Sequence, residues 1–399
     1  MEYRIPLNAN SLEREEISAA KDVLDSGFLT MGKRCREFEK AFAEYLGVKH
    51  AVMVNSGSSA NLLAMFALAN PLLKMNDGKR PLTRGTEVIV PALTWATTIW
   101  PVVQAGAKPV FVDCDPRTLQ MTPESIEAAI TPQTVAIAIV HVLGGAANAV
   151  AIADIAQRHR LWLFEDTCES LGVRWDGSQA GSFGDMASFS FYFSHHITTI
   201  EGGMLVTNND ELADLLTALR AHGWVRHMKN PPPIDARYGD IDPRFLFLTT
   251  GFNVRPTEIN AAIGLEQLKR LDGFNARRRE IAALLDRGLA PLAQAGELEL
   301  IWHDPRTLPA PFGYTVLCRT GEARKTLQDH LELSGIETRP VICGNMVRQP
   351  AVAQFDYGVS GQLDGADRVM DCGLYWGTHP KMSDEDVDYI VGTVKEHYE

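Results

Sequence analysis

Residues Ser190–Met204 read SFYFSHHITTIEGGM. A serine sits in the apolar run ASFSFYF, a short loop carries two adjacent histidines, His195 and His196, and a Glu-Gly-Gly turn opens the next run, GMLVTN. Upstream the same grammar repeats. AVMVNSG, EVIVPAL, PVFVDCD, TVAIAIVHVLG and LWLFED alternate with helical patterns such as SSANLLAMFALAN, TPESIEAAI and AIADIAQRHR. Seven apolar runs between about 50 and 207, several separated by amphipathic segments, predict an α/β domain on a mostly parallel, seven-stranded sheet. Ligands of such a sheet bind at loops off the carboxyl ends of its strands, where the two histidines fall.

Outside that block, residues 12–25 and NDELADLLTALRAHG have helical patterns. RPTEINAAIGLEQLKRLDGFNARRREIAALLDRGL is one long helical stretch, linking to a smaller α+β unit. The division expected is 1–265 for the large domain, N-terminal arm included, and 266–399 for the small one.

The 399 residues carry a formal net charge of −12, with 45% hydrophobic and 22% charged residues. That balance suits a globular chain with a sizeable core and argues against nucleic acid or anionic membrane as the main partner. No apolar run reaches the ~18–20 residues of a membrane span, and the first residues, MEYRIPLNANSLEREE, are polar and acidic where a signal peptide would be basic and then apolar. The expectation is a cytoplasmic protein. Six scattered cysteines (Cys35, Cys114, Cys168, Cys318, Cys343, Cys372) form no C-x-x-C pair, which suits reduced thiols and offers no metal-ligand spacing.

Three short motifs carry chemistry. NSGSSAN (Asn55–Asn61) is a Gly-Ser turn entering a helix, so the N–H groups at Gly57 and Ser58 could seat a phosphate, or the serines could serve only as caps. LWLFEDTCESLG ends a strand in Asp166, a carboxylate able to keep a pyridine nitrogen protonated, or merely to cap a loop. Trp95, just past a strand end in PALTWATTIW, could stack on a planar ring or pack in the core.

Together and in this order, with EGGM and TGFNVRPTEINAAIGLEQL following, the motifs resemble the DegT–StrS family of sugar-nucleotide aminotransferases, from GFLTMG through GIETRP. The resemblance implies the aspartate aminotransferase fold and pyridoxal 5′-phosphate (PLP) or pyridoxamine 5′-phosphate (PMP) as cofactor. It implies that Gly57, Ser58 and Ser190 contact the phosphate, Trp95 stacks on the ring, Asp166 pairs with the pyridine nitrogen and Glu169 lies beside the cofactor. Asn253 of GFN would reach the phosphate bound by the other subunit, which implies a homodimer with shared active sites.

The family's cofactor lysine lies six residues before the Glu of EGG, and that position is His195. Histidine there marks the sugar 3-dehydratases of the family, so the cofactor is expected to be held noncovalently. L-glutamate would donate the amine, and the C3 hydroxyl of a nucleotide-linked 4-keto-6-deoxyhexose, a GDP-linked mannose derivative first, would leave, with release of ammonia, in dideoxysugar and O-antigen synthesis. With an ordinary pKa near ~6.5, imidazole can take and return a proton around neutrality. The resemblance further implies sugar-nucleotide contacts at Gly27, Phe28, Leu29, Thr30, His222, Arg226 and Glu337. A reductase-coupled iron–sulfur dehydratase and a silent PLP or sugar-nucleotide binder are the alternatives. AHGWVRHMKN lacks the cysteines that such a cluster uses in the relative.

Overall fold

A computed structural model describes residues 3–74, 77–234 and 238–399. Its largest sheet runs in the order His50–Val54, Gly203–Thr207, Met186–Ser190, Trp162–Asp166, Thr134–Val140, Glu87–Pro91, Lys108–Val112, Gly358–Val359. Pairing is parallel from Met186–Ser190 to the far edge, and Gly203–Thr207 is antiparallel to both its neighbours. The seven expected strands are all present. The eighth, Gly358–Val359, is a two-residue edge strand contributed from the C-terminal part of the chain.

These strands are mostly apolar because both faces are covered. Val88 and Val90 enter one core with Ala136, Ala138 and Val140, while Ile89, Ile137 and Ile139 enter the other. That is the two-residue alternation of extended chain. Helices Gly57–Leu68 and Ala96–Gln104 lie on the first face, and Ala149–His159 lies on the second.

A second, antiparallel sheet joins Leu298–Leu300, Gly313–Cys318, Gly373–Gly377 and Thr338–Pro340. Helices Gly321–Leu333 and Asp384–Tyr398 cover it, around a core that includes Val316, Leu327, Trp376 and Ile390. The long helix Glu258–Gln294 serves both units: Ala261 and Leu271 pack with the large sheet, Ile281, Leu285 and Leu289 with the small one. Ile5 joins the small core too, through a bridge to Ile336. No described helix is long and apolar enough to cross a membrane.

Candidate active site

The carboxyl ends of the parallel strands open onto a cavity of about 420 Å³. Its wall brings together Gly57, Ser58, Trp95, Asp166, Glu169, Ser190 and His195, all singled out in the sequence, with no lysine among the lining residues. A larger hollow of about 590 Å³ lies between helices Lys33–Leu46 and Asp210–Leu219. It contains the Glu39–Arg220 ion pair and none of the residues just named.

The floor is a close approach of two backbones. Helix Gly57–Leu68 begins against the end of strand Met186–Ser190, with Ser56 as N-cap accepting from the Ser59 N–H. A Cβ on Gly57 would lie 2.6 Å from Ser190 Cβ and 2.9 Å from Cys168 Sγ, so only glycine fits. A Cβ on Gly203 would lie 2.3 Å from the Ser56 carbonyl oxygen, which explains the second glycine of the Glu-Gly-Gly turn. First-turn N–H groups at the positive end of a helix, beside the hydroxyls of Ser58 and Ser190, make a donor set suited to a phosphate.

Asp166 closes strand Trp162–Asp166 and is 4% exposed. Its Oδ2 accepts from Asn61 Nδ2 and Thr98 Oγ1, each at 2.8 Å, and its Oδ1 from the Cys168 N–H at 3.2 Å. Three donors thus fix the carboxylate at the place where a ring-nitrogen proton would need an acceptor. Trp95, at the N-cap position of helix Ala96–Gln104, is 56% exposed at the cavity rim, leaving an indole face free to stack.

His195 is held by chemistry that fixes its tautomer. Nδ1 lies 2.7 Å from the Cys168 carbonyl oxygen, which can only accept, so Nδ1 carries the proton and Nε2 keeps a lone pair. Tyr192 and Phe312 meet the ring edge-on, with centroids at 5.9 and 5.1 Å. Burial lowers its pKa from 6.5 to about 4, against the opposing pull of the Cys168 carbonyl and Asp166. The imidazole is therefore a neutral base, not the group half-protonated near neutrality that its ordinary pKa suggests. Glu169 moves the other way: burial, with Asp166 adding, lifts it to about 7, against donation from the Leu143 N–H.

His196 turns away from the cavity. It is buried, its Nε2–H donates to the Ala310 carbonyl at 2.8 Å, and it has the structural part in the loop.

The sugar-nucleotide candidates form a second group, off the cavity wall. Asn253 pairs with Ala221, the His222 N–H donates to Phe252 O, and Thr257 pairs with Thr30. The segment Phe252–Glu258 thus ties His222 and the Gly27–Thr30 loop along one stretch of chain, with Arg226 in the short helix just after His222. Asn253, His222 and Arg226 are exposed there, and Phe28 is 81% exposed. Glu337 belongs to neither group: its carboxylate accepts from the Leu7 N–H at 2.8 Å and from Arg339 at 2.6 Å.

Several residues of the site escaped the sequence reading, Asn61 behind the wall on Asp166 and others on the wall itself. Asn61 had a signal, four residues after Gly57 on one helix face. Thr98, Phe312 and Tyr375 had none, because Phe312 and Tyr375 come from the small unit and reach the cavity only through the tertiary fold.

This geometry has known counterparts. The model of the DegT/DnrJ/EryC1/StrS aminotransferase family matches residues 10–395. GDP-4-keto-6-deoxy-D-mannose 3-dehydratase of Yersinia pseudotuberculosis is 37% identical over 98% of both chains. A structure of GDP-4-keto-6-deoxymannose-3-dehydratase with a trapped PLP-glutamate geminal diamine superposes with a TM-score of 0.90 at 35% identity, covering 98% of this chain and 100% of the other. A mutant of that dehydratase with bound GDP-perosamine gives 0.87, at the same identity and coverage. Matched over nearly its whole length and carrying the Gly-Ser turn, strand-end Asp and the Glu of the Glu-Gly-Gly turn in one cavity, the chain belongs to the DegT/DnrJ/EryC1/StrS aminotransferase family.

Proposed function

We propose that this chain is a PLP/PMP-dependent nucleotide-sugar 3-dehydratase, with GDP-4-keto-6-deoxy-D-mannose as its first candidate substrate and L-glutamate as amine donor. The observation that carries the reading is His195: an imidazole with a fixed tautomer stands in the cavity at the family's lysine position, and no lysine lines the wall. The donor set fits the cofactor, since the cradle that a Gly57 Cβ would fill takes the phosphate and the three-donor Asp166 suits a protonated ring nitrogen. Bound PMP supplies an amine for the C4 ketone and an electron-accepting ring that makes the C3 hydroxyl a leaving group.

The protein's part is holding and moving protons. Gly57, Ser58 and Ser190 would hold the phosphate, Trp95 would offer its indole to the ring, and Asp166 would face the ring nitrogen and favour its protonated form. With the cofactor in place, His195 Nε2 would accept a proton and return one to the departing C3 oxygen, its ring held by Nδ1–H on the Cys168 carbonyl. Glu169, with a pKa near 7, is a second proton-holding group beside it. Overall, a C–O bond is exchanged for C–H, glutamate is oxidised to 2-oxoglutarate, and its nitrogen leaves as ammonia.

Asn253 reaches the cofactor phosphate of the partner's cavity in a homodimer, and His222, Arg226 and the Gly27–Thr30 loop contact the sugar nucleotide; Glu337 joins them only by giving up the Leu7 N–H and Arg339. The exposure of Phe28, Phe245 and Phe247 supports a covering second copy. We divide the chain at 1–265 and 266–399 and place the enzyme in the cytoplasm, free of nucleic acid and membrane. The test is a panel of nucleotide-linked 4-keto-6-deoxyhexoses with L-glutamate. Ammonia and 2-oxoglutarate in equal amounts support the reading, and a 4-amino sugar without ammonia refutes it.

A further inference from the structure

Arg278, on the long helix Glu258–Gln294, is 4% exposed, and its guanidinium has no carboxylate partner among the described ion pairs. Nη1 donates to neutral oxygens only: Pro311 O and Phe312 O at 3.2 Å, Thr378 Oγ1 at 3.4 Å and Thr378 O at 3.5 Å. A buried charge without a counter-charge costs stability, so the fold carries this one against its own interest. What it stands behind is the proton carrier. Its acceptors Pro311 and Phe312 follow Ala310, which His196 holds, and the Phe312 ring presses on His195 with centroids 5.1 Å apart.

On its other sides His195 faces acids and phenols. Asp166 and Glu169 come from the strand Trp162–Asp166 and the loop after it, Glu201 from the Glu-Gly-Gly turn, Tyr192 from its own loop and Tyr375 from the small sheet. The neutral His196 lies next in sequence. Among these described groups Arg278 is the one permanent cation.

We propose that Arg278 is a positioning residue for His195: it fixes the ring through the 311–312 carbonyls and Phe312, and its unpaired charge offsets the Asp166 carboxylate so that the base stays unprotonated. The electrostatics agree in sign, since Asp166 favours the imidazolium while burial and Arg278 disfavour it. This rests on the reading of His195 as the base.

The test follows the ring itself, by NMR titration of the histidine-labelled full chain, with the His195 signal assigned from its loss in His195→Asn. In the parent chain the signal stays that of neutral imidazole down to about pH 5. Arg278→Gln keeps donors for the carbonyls but removes the charge, and should raise the midpoint by about one unit or more, a tenfold gain in proton affinity. Arg278→Lys should leave it within about 0.3 units. Thr378→Asp, which sets a carboxylate beside an intact guanidinium, should act like Arg278→Gln and guards against a Gln variant that does not fold. In turnover, the acid limb of kcat/KM should move with the midpoint in Arg278→Gln and stay in Arg278→Lys. An unmoved midpoint in folded Arg278→Gln or Thr378→Asp, or an equal rise in Arg278→Lys, overturns the proposal. A separate failure is visible too: if His195→Asn retains turnover, the functional reading falls while the titration result stands.

Discussion

Gly57→Ala is the sharpest perturbation of the proposed cofactor seat. The new Cβ would lie 2.6 Å from Ser190 Cβ, about 0.8 Å inside the 3.4 Å lower limit of ordinary contact, and 2.9 Å from Cys168 Sγ. Ser190 ends a strand hydrogen-bonded on both sides, so the start of helix Gly57–Leu68 has to move instead. Overpacking of this kind costs roughly 1–3 kcal/mol of stability. Displacing one first-turn N–H from a phosphate loses a charge-assisted hydrogen bond, about 1.5–3 kcal/mol or roughly tenfold to a hundredfold in Kd. Denaturant unfolding of the cofactor-free chain and an absorbance titration with PLP measure the two effects. Gly273→Ala is the control: in the interior of helix Glu258–Gln294, its Cβ meets nothing within 4 Å, so it should stabilise by about 0.5–1 kcal/mol and leave binding alone. A Gly57→Ala chain with unchanged stability and unchanged PLP affinity would refute the packing argument for the seat.

Borohydride treatment of the PLP-loaded chain should fix no cofactor to the protein, and a pyridoxyl-lysine peptide would contradict noncovalent binding. Asn253→Ala should weaken PMP retention while the chain still sediments as a dimer; a fully active monomer would remove the basis for a shared site. Stability should also depend on pH with a definite sign. His195 and His379 are held down to about 4 in the fold, and His196 lower than usual, all chiefly by burial, so their contribution is complete above pH ~6.5 and lost as pH falls toward 4. Glu169, raised to about 7, acts oppositely between 4.5 and 7 but is a single group. The urea midpoint of the cofactor-free chain should therefore drop between pH 7 and pH 5, and a flat profile would show that these histidines are not buried neutral.

Much of the fold was legible because the central strands are buried on both faces, so their apolar runs stand out without alternation. Helices Lys33–Leu46 and Ala96–Gln104 were not anticipated. The first is amphipathic and heavily charged on its outer face, and the second is β-branched and contains Pro101. ASFSFYF reads as a single strand, yet the sheet ends at Ser190, and Tyr192, on the cavity wall, and Phe193 come out exposed. The site was legible where chemistry is local: Asp166 ends a strand that announces itself, and Gly57 and His195 lie three and five residues past one. The site was illegible where it is assembled at long range. Nothing near Arg278, Phe312 or Tyr375 in sequence says that they stand around an imidazole more than 80 residues away.

Which histidine moves the proton is measured by turnover of matched variants with a sugar nucleotide, PMP and L-glutamate. His195→Asn should bind PMP normally and lose dehydration by roughly 10²–10⁴-fold, the range for a positioned proton-transfer group. His195→Lys should also lose dehydration, because an amine there competes with the donor amino acid for the cofactor. His196→Asn, which removes a buried tie to the Ala310 carbonyl, should keep turnover within about tenfold of the parent. Loss of turnover in His196→Asn with His195→Asn still active would contradict the assignment of His195 as the proton carrier.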